Sequence, residues 1–210
     1  MSDESALFQA IVEGDAATAT EGVHLLLGQE ISPSEIIEYH VIPAMAKVGI
    51  LYNNNEYFVP ELLMAIRAMQ ESRKILKPLL KTSGIGRVVI GTVKGDMHDI
   101  GKNLVASMLE GGGFEVVDLG VDVAPERFVE AAKEKPGTIV GLSALLTTTM
   151  PNMLATISAL EKEGLRDQVR VIIGGAPVTQ AYADEIGADG YSENANGAVA
   201  LAKSLVAASN

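Results

Sequence analysis

Hydrophobic positions in the first eighty residues recur with the period of an α-helix. In the third of four such stretches, Ile37, Val41 and Met45 would share one face. Ser and Asp residues suited to N-caps precede several stretches, and glycines end two of them. Four helices with short links predict a small bundle. The predicted helices begin near Glu4, Asp15, Ser32 and Pro60.

The pattern changes near residue 84, after which short Val/Ile runs alternate with helical stretches. This alternation predicts an α/β domain with a parallel sheet covered on both faces, in a flavodoxin-like (Rossmann-like) strand order. We therefore expect a four-helix bundle over residues 1–84 and a five-stranded α/β domain over 85–210. The predicted strands are Arg87–Thr92, Glu115–Leu119, Thr138–Ser143, Val169–Ile173 and a weak fifth at Gly190-Tyr191.

Composition narrows the possible partners and compartments. The formal net charge of −11 argues against nucleic acid or an anionic membrane as the main partner. Cysteine is absent, which excludes disulfides and thiolate metal sites. No signal peptide and no membrane-spanning stretch is predicted, so a cytoplasmic location is expected.

The loop after the first predicted strand carries the most distinctive chemistry. Ligands of open parallel sheets bind beyond the carboxyl ends of the strands, where this loop should lie. Its glycines, Gly95 and Gly101, have the wrong spacing for a phosphate loop, and Asn103 stands where such a loop needs Ser or Thr. A nucleotide triphosphate is therefore not the expected ligand.

The same loop places Asp96 two residues before His98. A metal-bound imidazole usually donates its other N–H to a carboxylate. One His and one Asp cannot complete a zinc site made only of protein ligands, whereas a haem or a corrin needs only an axial ligand. From spacing alone, a structural or catalytic histidine remains an equal alternative.

Three short elements resemble the signature of cobalamin-binding domains, in the family's order and at the ends of the expected strands. The resemblance covers nearly the whole chain, because the helical part is similar to the cap of the corrinoid modules in methionine synthase and in small methyltransferase corrinoid proteins. Tyr57–Pro60 matches a cap segment of that family. The three elements are Asp96-x-His98-x-x-Gly101, Ser143-Ala144-Leu145 and Gly174-Gly175.

This resemblance implies a cobalamin or related corrinoid bound base-off, with His98 as the lower ligand of cobalt. Asp96 would hydrogen-bond the other imidazole nitrogen. The family extends this relay to a serine, and Thr149 occupies that place here. The added methyl group leaves the geometry of the relay open.

The resemblance also implies contacts along the nucleotide tail. Ser143 and Thr147 would bond the tail, although strand-end packing and helix capping would use the same residues. Gly174 and Gly175 would let the tail approach the backbone, or could be turn glycines, and Asn194 could equally be a helix N-cap. The remaining predicted cofactor contacts are Gly95, Met97, Asp99, Gly101 and Leu145, with Phe58 above the corrin.

The function implied is that of a methyl carrier, with methylcobalamin as the loaded form. A substrate-specific methyltransferase would load it from methylamine, methanol, betaine or an aryl methyl ether. A second methyltransferase would pass the methyl group to tetrahydrofolate or coenzyme M, and a reductive activase would restore the cofactor. The chain would thus be a carrier subunit rather than a complete enzyme, with Thr82–Gly86 as a hinge.

Three alternatives stay open at this stage. A cobalamin-responsive regulator or photosensor has a similar helical part, but usually carries a basic DNA-binding segment. The small subunit of an adenosylcobalamin mutase resembles the second half and generally lacks the bundle. An unrelated flavodoxin-like binding protein is the third.

Overall fold

The fold was obtained as a computed structural model, which describes residues 5–80 and 84–208. These residues fall into two compact units. One is helical and the other is built on a β-sheet. The helical unit comprises Met1–Ser83 and Glu110–Gly113. The unit with the β-sheet comprises Gly84–Leu109 and Phe114–Asn210.

The helical unit confirms the predicted helical N-terminal region, with one irregularity. Residues Ile37–Val41 form a π-helical turn that joins two α-helices. Pro43 has no N–H with which to continue the α-helical ladder, and the preceding amide of Ile42 donates to the carbonyl five residues back, at Ile37. The helices are α1 (Ala6–Glu13), α2 (Ala16–Gly28), α3 (Pro33–Ile36), α4 (Ile42–Asn53) and α5 (Val59–Leu76), followed by a 3-10 turn at Lys77–Leu79.

Aliphatic side chains and methionines fill the interior of the helical unit, in a chain of which only 4% of the residues are aromatic. Leu7, Met45, Leu62 and Met69 are each at most 2% exposed. Burying one such side chain stabilises a fold by about 1.5–3 kcal/mol. Tyr57 adds a polar tie, because its hydroxyl donates to the carbonyl of Val12 at 3.0 Å.

The second unit contains a five-stranded parallel sheet in the order β2-β1-β3-β4-β5, which confirms the flavodoxin-like prediction. Every strand points the same way, so the carboxyl ends of β1, β3 and β4 meet at one edge. The strands are β1 (Arg87–Thr92), β2 (Glu115–Asp118), β3 (Ile139–Ser143), β4 (Arg170–Gly174) and β5 (Gly190–Tyr191).

Helices cover both faces of this sheet. One of them, Gln180–Ile186, was missed by the sequence prediction because it buries only Ala183 and Ile186, too few positions to show a helical period. The cap residue Thr179 and the left-handed Gly187 were its available signals. The helices are α6 (Ile100–Gly111), α7 (Pro125–Lys133), α8 (Pro151–Lys162), α9 (Gln180–Ile186) and α10 (Ala195–Ala207), with a 3-10 turn at Arg166–Gln168.

The side chains of β1, β3 and β4 alternate between two apolar layers. Val89, Val140 and Val171 face the layer that includes Phe128. The other layer contains Ile90 and Ile172, together with side chains of α6 and α10. Burial on both faces explains why the strands form continuous apolar runs in the sequence.

Candidate functional site

A cavity of about 560 Å³ opens at the carboxyl edge of the sheet. Its walls come from β1, β3 and β4 and from helices α6 and α10. Sequence analysis expected ligand-binding loops to gather at this edge. Nine of the predicted site residues line the cavity: Met97, His98, Asp99, Gly101, Ser143, Leu145, Gly174, Gly175 and Asn194.

His98 stands at this cavity with its imidazole supported from behind. Its Nδ1 lies 2.7 Å from Oδ1 of Asp96, and about half of the side chain is exposed. Because a carboxylate can only accept, Nδ1 carries the proton of the neutral ring, and Nε2 keeps a free lone pair. The loop holds this orientation, since the Thr92 hydroxyl donates to the His98 carbonyl at 2.8 Å.

Asp96 is fully buried and is held by donors from two parts of the chain. Its Oδ2 accepts from the amides of Leu145 at 2.8 Å and Leu146 at 3.3 Å, while Oδ1 also accepts from the His98 amide at 3.1 Å. Burial raises the pKa of Asp96, but the hydrogen bonds from Thr149, Leu145 and His98 together hold that pKa well below its usual range. The group is therefore a carboxylate at neutral pH.

Thr149 completes the chain of hydrogen bonds behind the imidazole. Its hydroxyl lies 2.7 Å from Oδ2 of Asp96 and 2.9 Å from the Leu146 carbonyl. The methyl group that distinguishes it from the family's serine faces Gly95, and a Cβ added to that glycine would lie 3.7 Å from it, an ordinary van der Waals distance. Threonine thus keeps the hydroxyl in place without disturbing the relay.

Gly174, the last residue of β4, and Gly175, which follows it, both lie close to the backbone of neighbouring loops. Gly175 has φ of +132°, and a Cβ there would lie 1.9 Å from the carbonyl oxygen of Ala144. At Gly174 a Cβ would lie 3.1 Å from the carbonyl oxygen of Ser192. Glycine is therefore required at position 175 by the close approach to Ala144, whereas position 174 leaves little room for a side chain.

Five predicted site residues do not line the cavity. Asp96 and Thr149 lie behind His98, and Gly95, with φ of +81°, shapes the loop. Thr147 is exposed and is not one of the residues that line the cavity. Phe58 belongs to the helical unit, where it precedes α5 and is 61% exposed. Their roles toward a cofactor stay predictions.

Asn194 is the N-cap of α10 as well as a lining residue. Its Oδ1 accepts from the Gly197 amide at 2.8 Å. The two alternatives left open for this residue therefore both agree with its position.

Several residues that build the loop were not predicted from the sequence. The Asp122 carboxylate accepts from the Gly95 amide at 2.7 Å, and the Asp122 amide donates to the Asp96 carbonyl at 2.9 Å. Asn152 donates to the Lys94 carbonyl at 2.9 Å. These partners are 26 to 58 positions away in the sequence, so no local pattern could connect them.

The geometry fits a corrinoid. Within residues 5–80 and 84–208, no group of three or more His, Cys, Asp or Glu side chains is placed to hold a metal ion. A metal beside His98 would thus need a cofactor that brings its other ligands. Met97 and Ile100, at 68% and 83% exposed, offer such a macrocycle an apolar surface next to the imidazole. Fold and site define a class of domain whose cavity, at the carboxyl edge of a parallel sheet, has room for a metal-containing cofactor beside His98.

Comparison with known proteins agrees with this class. Two family models, each described as a B12 binding domain, match residues 4–77 and 86–200. Dimethylamine corrinoid protein 1 of Methanosarcina acetivorans is 50% identical over 182 residues, which are 85% of each chain. Trimethylamine corrinoid protein 2 of the same organism is 45% identical over 94% of this chain and 93% of its own. The structure also resembles one chain of the methanol:cobalamin methyltransferase complex MtaBC of Methanosarcina barkeri, with a TM-score of 0.87 and 31% identity, over 99% of this chain and 81% of that chain.

The chain belongs to the B12-binding family, among the corrinoid proteins of methyltransferase systems, and its cofactor is cobalamin or a related corrinoid. Among the described residues, no helix combines the length and the apolar character needed to cross a membrane.

Proposed function

We propose that this protein carries a methyl group on its corrinoid from a substrate-specific methyltransferase to a second methyltransferase. The observation that carries the proposal is the chain of hydrogen bonds from Thr149 through Asp96 to His98, which ends at a free imidazole nitrogen beside the cavity. The names of the relatives and of the methanol:cobalamin methyltransferase complex support the same function.

In this proposal the residues bind and orient the cofactor. The bound corrinoid supplies the cobalt on which a methyl group is carried. His98 would provide the lower ligand through Nε2, and Asp96 would keep the proton on Nδ1 so that Nε2 stays available. Thr149 is a positioning residue that fixes the carboxylate. A carboxylate behind a ligating imidazole also raises its basicity, which strengthens the ligand.

We propose that the original methyl donor is a methylamine, and that dimethylamine is the first candidate among the methylamines. The relatives named for dimethylamine and trimethylamine are 45–50% identical, whereas the structure named for methanol is 31% identical. The acceptor on the second methyltransferase would be tetrahydrofolate or coenzyme M. A reductive activase would restore the cofactor, Phe58 would cover its upper face, and the segment Thr82–Gly86, whose first two residues lie outside the described part, would act as the hinge.

A labelling experiment tests the carrier role. The corrinoid-loaded protein is first reduced with a chemical reductant to the cobalt(I) form. It is then incubated with a dimethylamine methyltransferase and dimethylamine labelled in its methyl groups, with trimethylamine and methanol and their own methyltransferases as parallel donors. We expect label on the protein with the methylamine pair. His98→Ala should carry at least about tenfold less label than the unaltered protein, because its cofactor would lack the proposed protein ligand.

His24→Ala is the matched control, since it removes an exposed histidine from α2, and it should label like the unaltered protein. Absence of label with every donor would overturn the carrier proposal. A change of oligomeric state on illumination or on adding adenosylcobalamin, together with no labelling, would favour the regulator instead.

A further inference from the structure

The cavity runs inward along the strands from the edge where His98 stands. Its outer row contains Ser143 and Gly174, which are paired in register, and the next inward row on the same face contains Ile90, Gly141 and Ile172. The rows are two residues apart, so the inner one lies about 7 Å deeper. Val88 and Ile139, one further row inward, do not line the cavity and belong to the closed core.

Polar side chains line the outer part of the cavity, and apolar side chains line its inner part. The polar lining side chains come from the end of β3, from the loops at the carboxyl edge and from the first turn of α6: His98, Asp99, Lys102, Ser143, Ser192, Glu193 and Asn194. Lys102 is already paired with Asp118 and with Asn103. The other lining side chains of α6 and α10 are apolar, namely Leu104, Val105 and Ala198, and Val105 packs against the cluster that contains Ile90 and Ile172. The backbone groups of the inner row are paired within the sheet ladder.

Gly141 provides the room in the inner row. A Cβ at this position would lie 3.2 Å from Cγ1 of Ile90 and 3.6 Å from its Cδ1. Ile90 is β-branched and 4% exposed, so it has little freedom to move aside. Any side chain at position 141 would therefore narrow the inner part of the cavity.

We propose that this inner part selects corrinoids whose nucleotide tail ends in an apolar bicyclic base, such as a benzimidazole, over those that end in adenine. The inference rests on the proposed corrinoid-carrying function and on the tail contacts that the family resemblance implies for Ser143, Gly174 and Gly175, which line this cavity. A benzimidazole would contact Ile90, Ile172, Leu104 and Val105 through carbon atoms alone. Adenine carries an amino group and ring nitrogens on its six-membered ring, and the inner lining offers them no hydrogen-bond partner.

The size of the expected discrimination follows from that difference. A buried polar group that loses its water without gaining a partner weakens binding by about tenfold to a hundredfold. Removing the polar edge while keeping the ring shape avoids this loss. Discrimination would thus arise from rejection of adenine, rather than from any specific contact to the benzimidazole.

Binding of three corrinoids to the full-length apoprotein tests the proposal. The probes are cobalamin, its analogue with adenine as the lower base, and cobinamide, which lacks the nucleotide. Affinity is measured by equilibrium dialysis, and the absorption spectrum reports coordination. We expect cobalamin to bind about tenfold or more tightly than the adenine analogue. Gly141→Ala should weaken the binding of cobalamin and leave the binding of cobinamide unchanged. The control Gly28→Ala adds a methyl group to open space in α2 and should change neither affinity.

The possible outcomes distinguish the selectivity proposal from the placement of the nucleotide tail in the cavity. If the adenine analogue binds as tightly as cobalamin and both bind more tightly than cobinamide, the tail occupies the cavity and the selectivity proposal is wrong. If cobinamide binds as tightly as cobalamin, the tail placement fails and the selectivity proposal fails with it. The comparison on the unaltered protein needs no variant, so it stands even if Gly141→Ala does not fold. The methyl-carrier role is judged by labelling and does not depend on either result.

Discussion

Asp96 illustrates what a single buried carboxylate requires. A charge removed from water needs several hydrogen bonds to remain ionised, and Asp96 receives them from Leu145, Leu146, Thr149 and His98. Those from Leu145 and Leu146 come from backbone amides, which occur in every sequence. The pair of Asp96 and His98 was predictable from their spacing, but the amide donors depend on how β3 ends.

Replacing Thr149 by valine should weaken the support of the imidazole. Valine keeps the shape of threonine and removes the hydroxyl that lies 2.7 Å from Asp96. We expect corrinoid affinity to fall by up to about tenfold, because Thr149 acts on the imidazole only through Asp96. The unfolding free energy of the apoprotein should fall by about 1–2 kcal/mol. Dialysis and urea denaturation measure the two effects.

Thr149→Ser is the control, because it retains the hydroxyl and loses only the methyl group. Its corrinoid affinity and its coordination spectrum should both match those of the unaltered protein. Equal affinity of the valine variant and the unaltered protein would show that the hydroxyl does not position the imidazole through Asp96.

At the scale of elements, the site is formed where strands end. Parallel pairing brings Thr92, Ser143 and Gly174 into one row, although they are far apart in the sequence. The predicted strand bounds were wrong by a residue at several ends, and α9 was not predicted at all. The row forms regardless, because the register of the paired strands, and not the exact residue at which each strand ends, fixes which residues are neighbours.

Gly175→Ala tests how closely the ends of β3 and β4 must approach. Because φ is +132° and a Cβ would lie 1.9 Å from the Ala144 carbonyl oxygen, the loop must move. We expect the unfolding free energy to fall by about 2 kcal/mol or more, with a matching loss of corrinoid binding. Urea denaturation followed by circular dichroism gives the first quantity.

Gly174→Ala is the graded comparison, since its Cβ would lie 3.1 Å from the Ser192 carbonyl oxygen and its φ is not in the left-handed region. Its effect should be clearly smaller. Equal losses for the two variants would contradict the argument from the close approach at Gly175.

At the scale of the whole molecule, cofactor binding and folding are linked. A cavity built from the ends of several strands and helices exists only in the folded chain, so a ligand that enters it stabilises the native state. At a free cobalamin concentration about one hundred times the dissociation constant, the added stability is about 2.7 kcal/mol.

Removing the cofactor should therefore lower the thermal midpoint of the protein. Scanning calorimetry of the apoprotein, with and without cobalamin, measures the change. His98→Ala should show a smaller upward shift at the same cobalamin concentration, because its dissociation constant is larger. A midpoint that cobalamin does not move in the unaltered protein would argue against binding linked to the native fold.

The sequence by itself determined the helical N-terminal region, the parallel sheet with its strand order, and the candidate pair of Asp96 and His98. Periodic burial and short spacings are local properties, and the chain records them directly. Tertiary structure alone decided that amides of Leu145 and Leu146 hold Asp96, that Asp122 braces the loop, and that Gly141 leaves the inner cavity open. Those features arise from contacts between residues distant in sequence, whose partners are set by strand register and by loop packing, which no local pattern encodes.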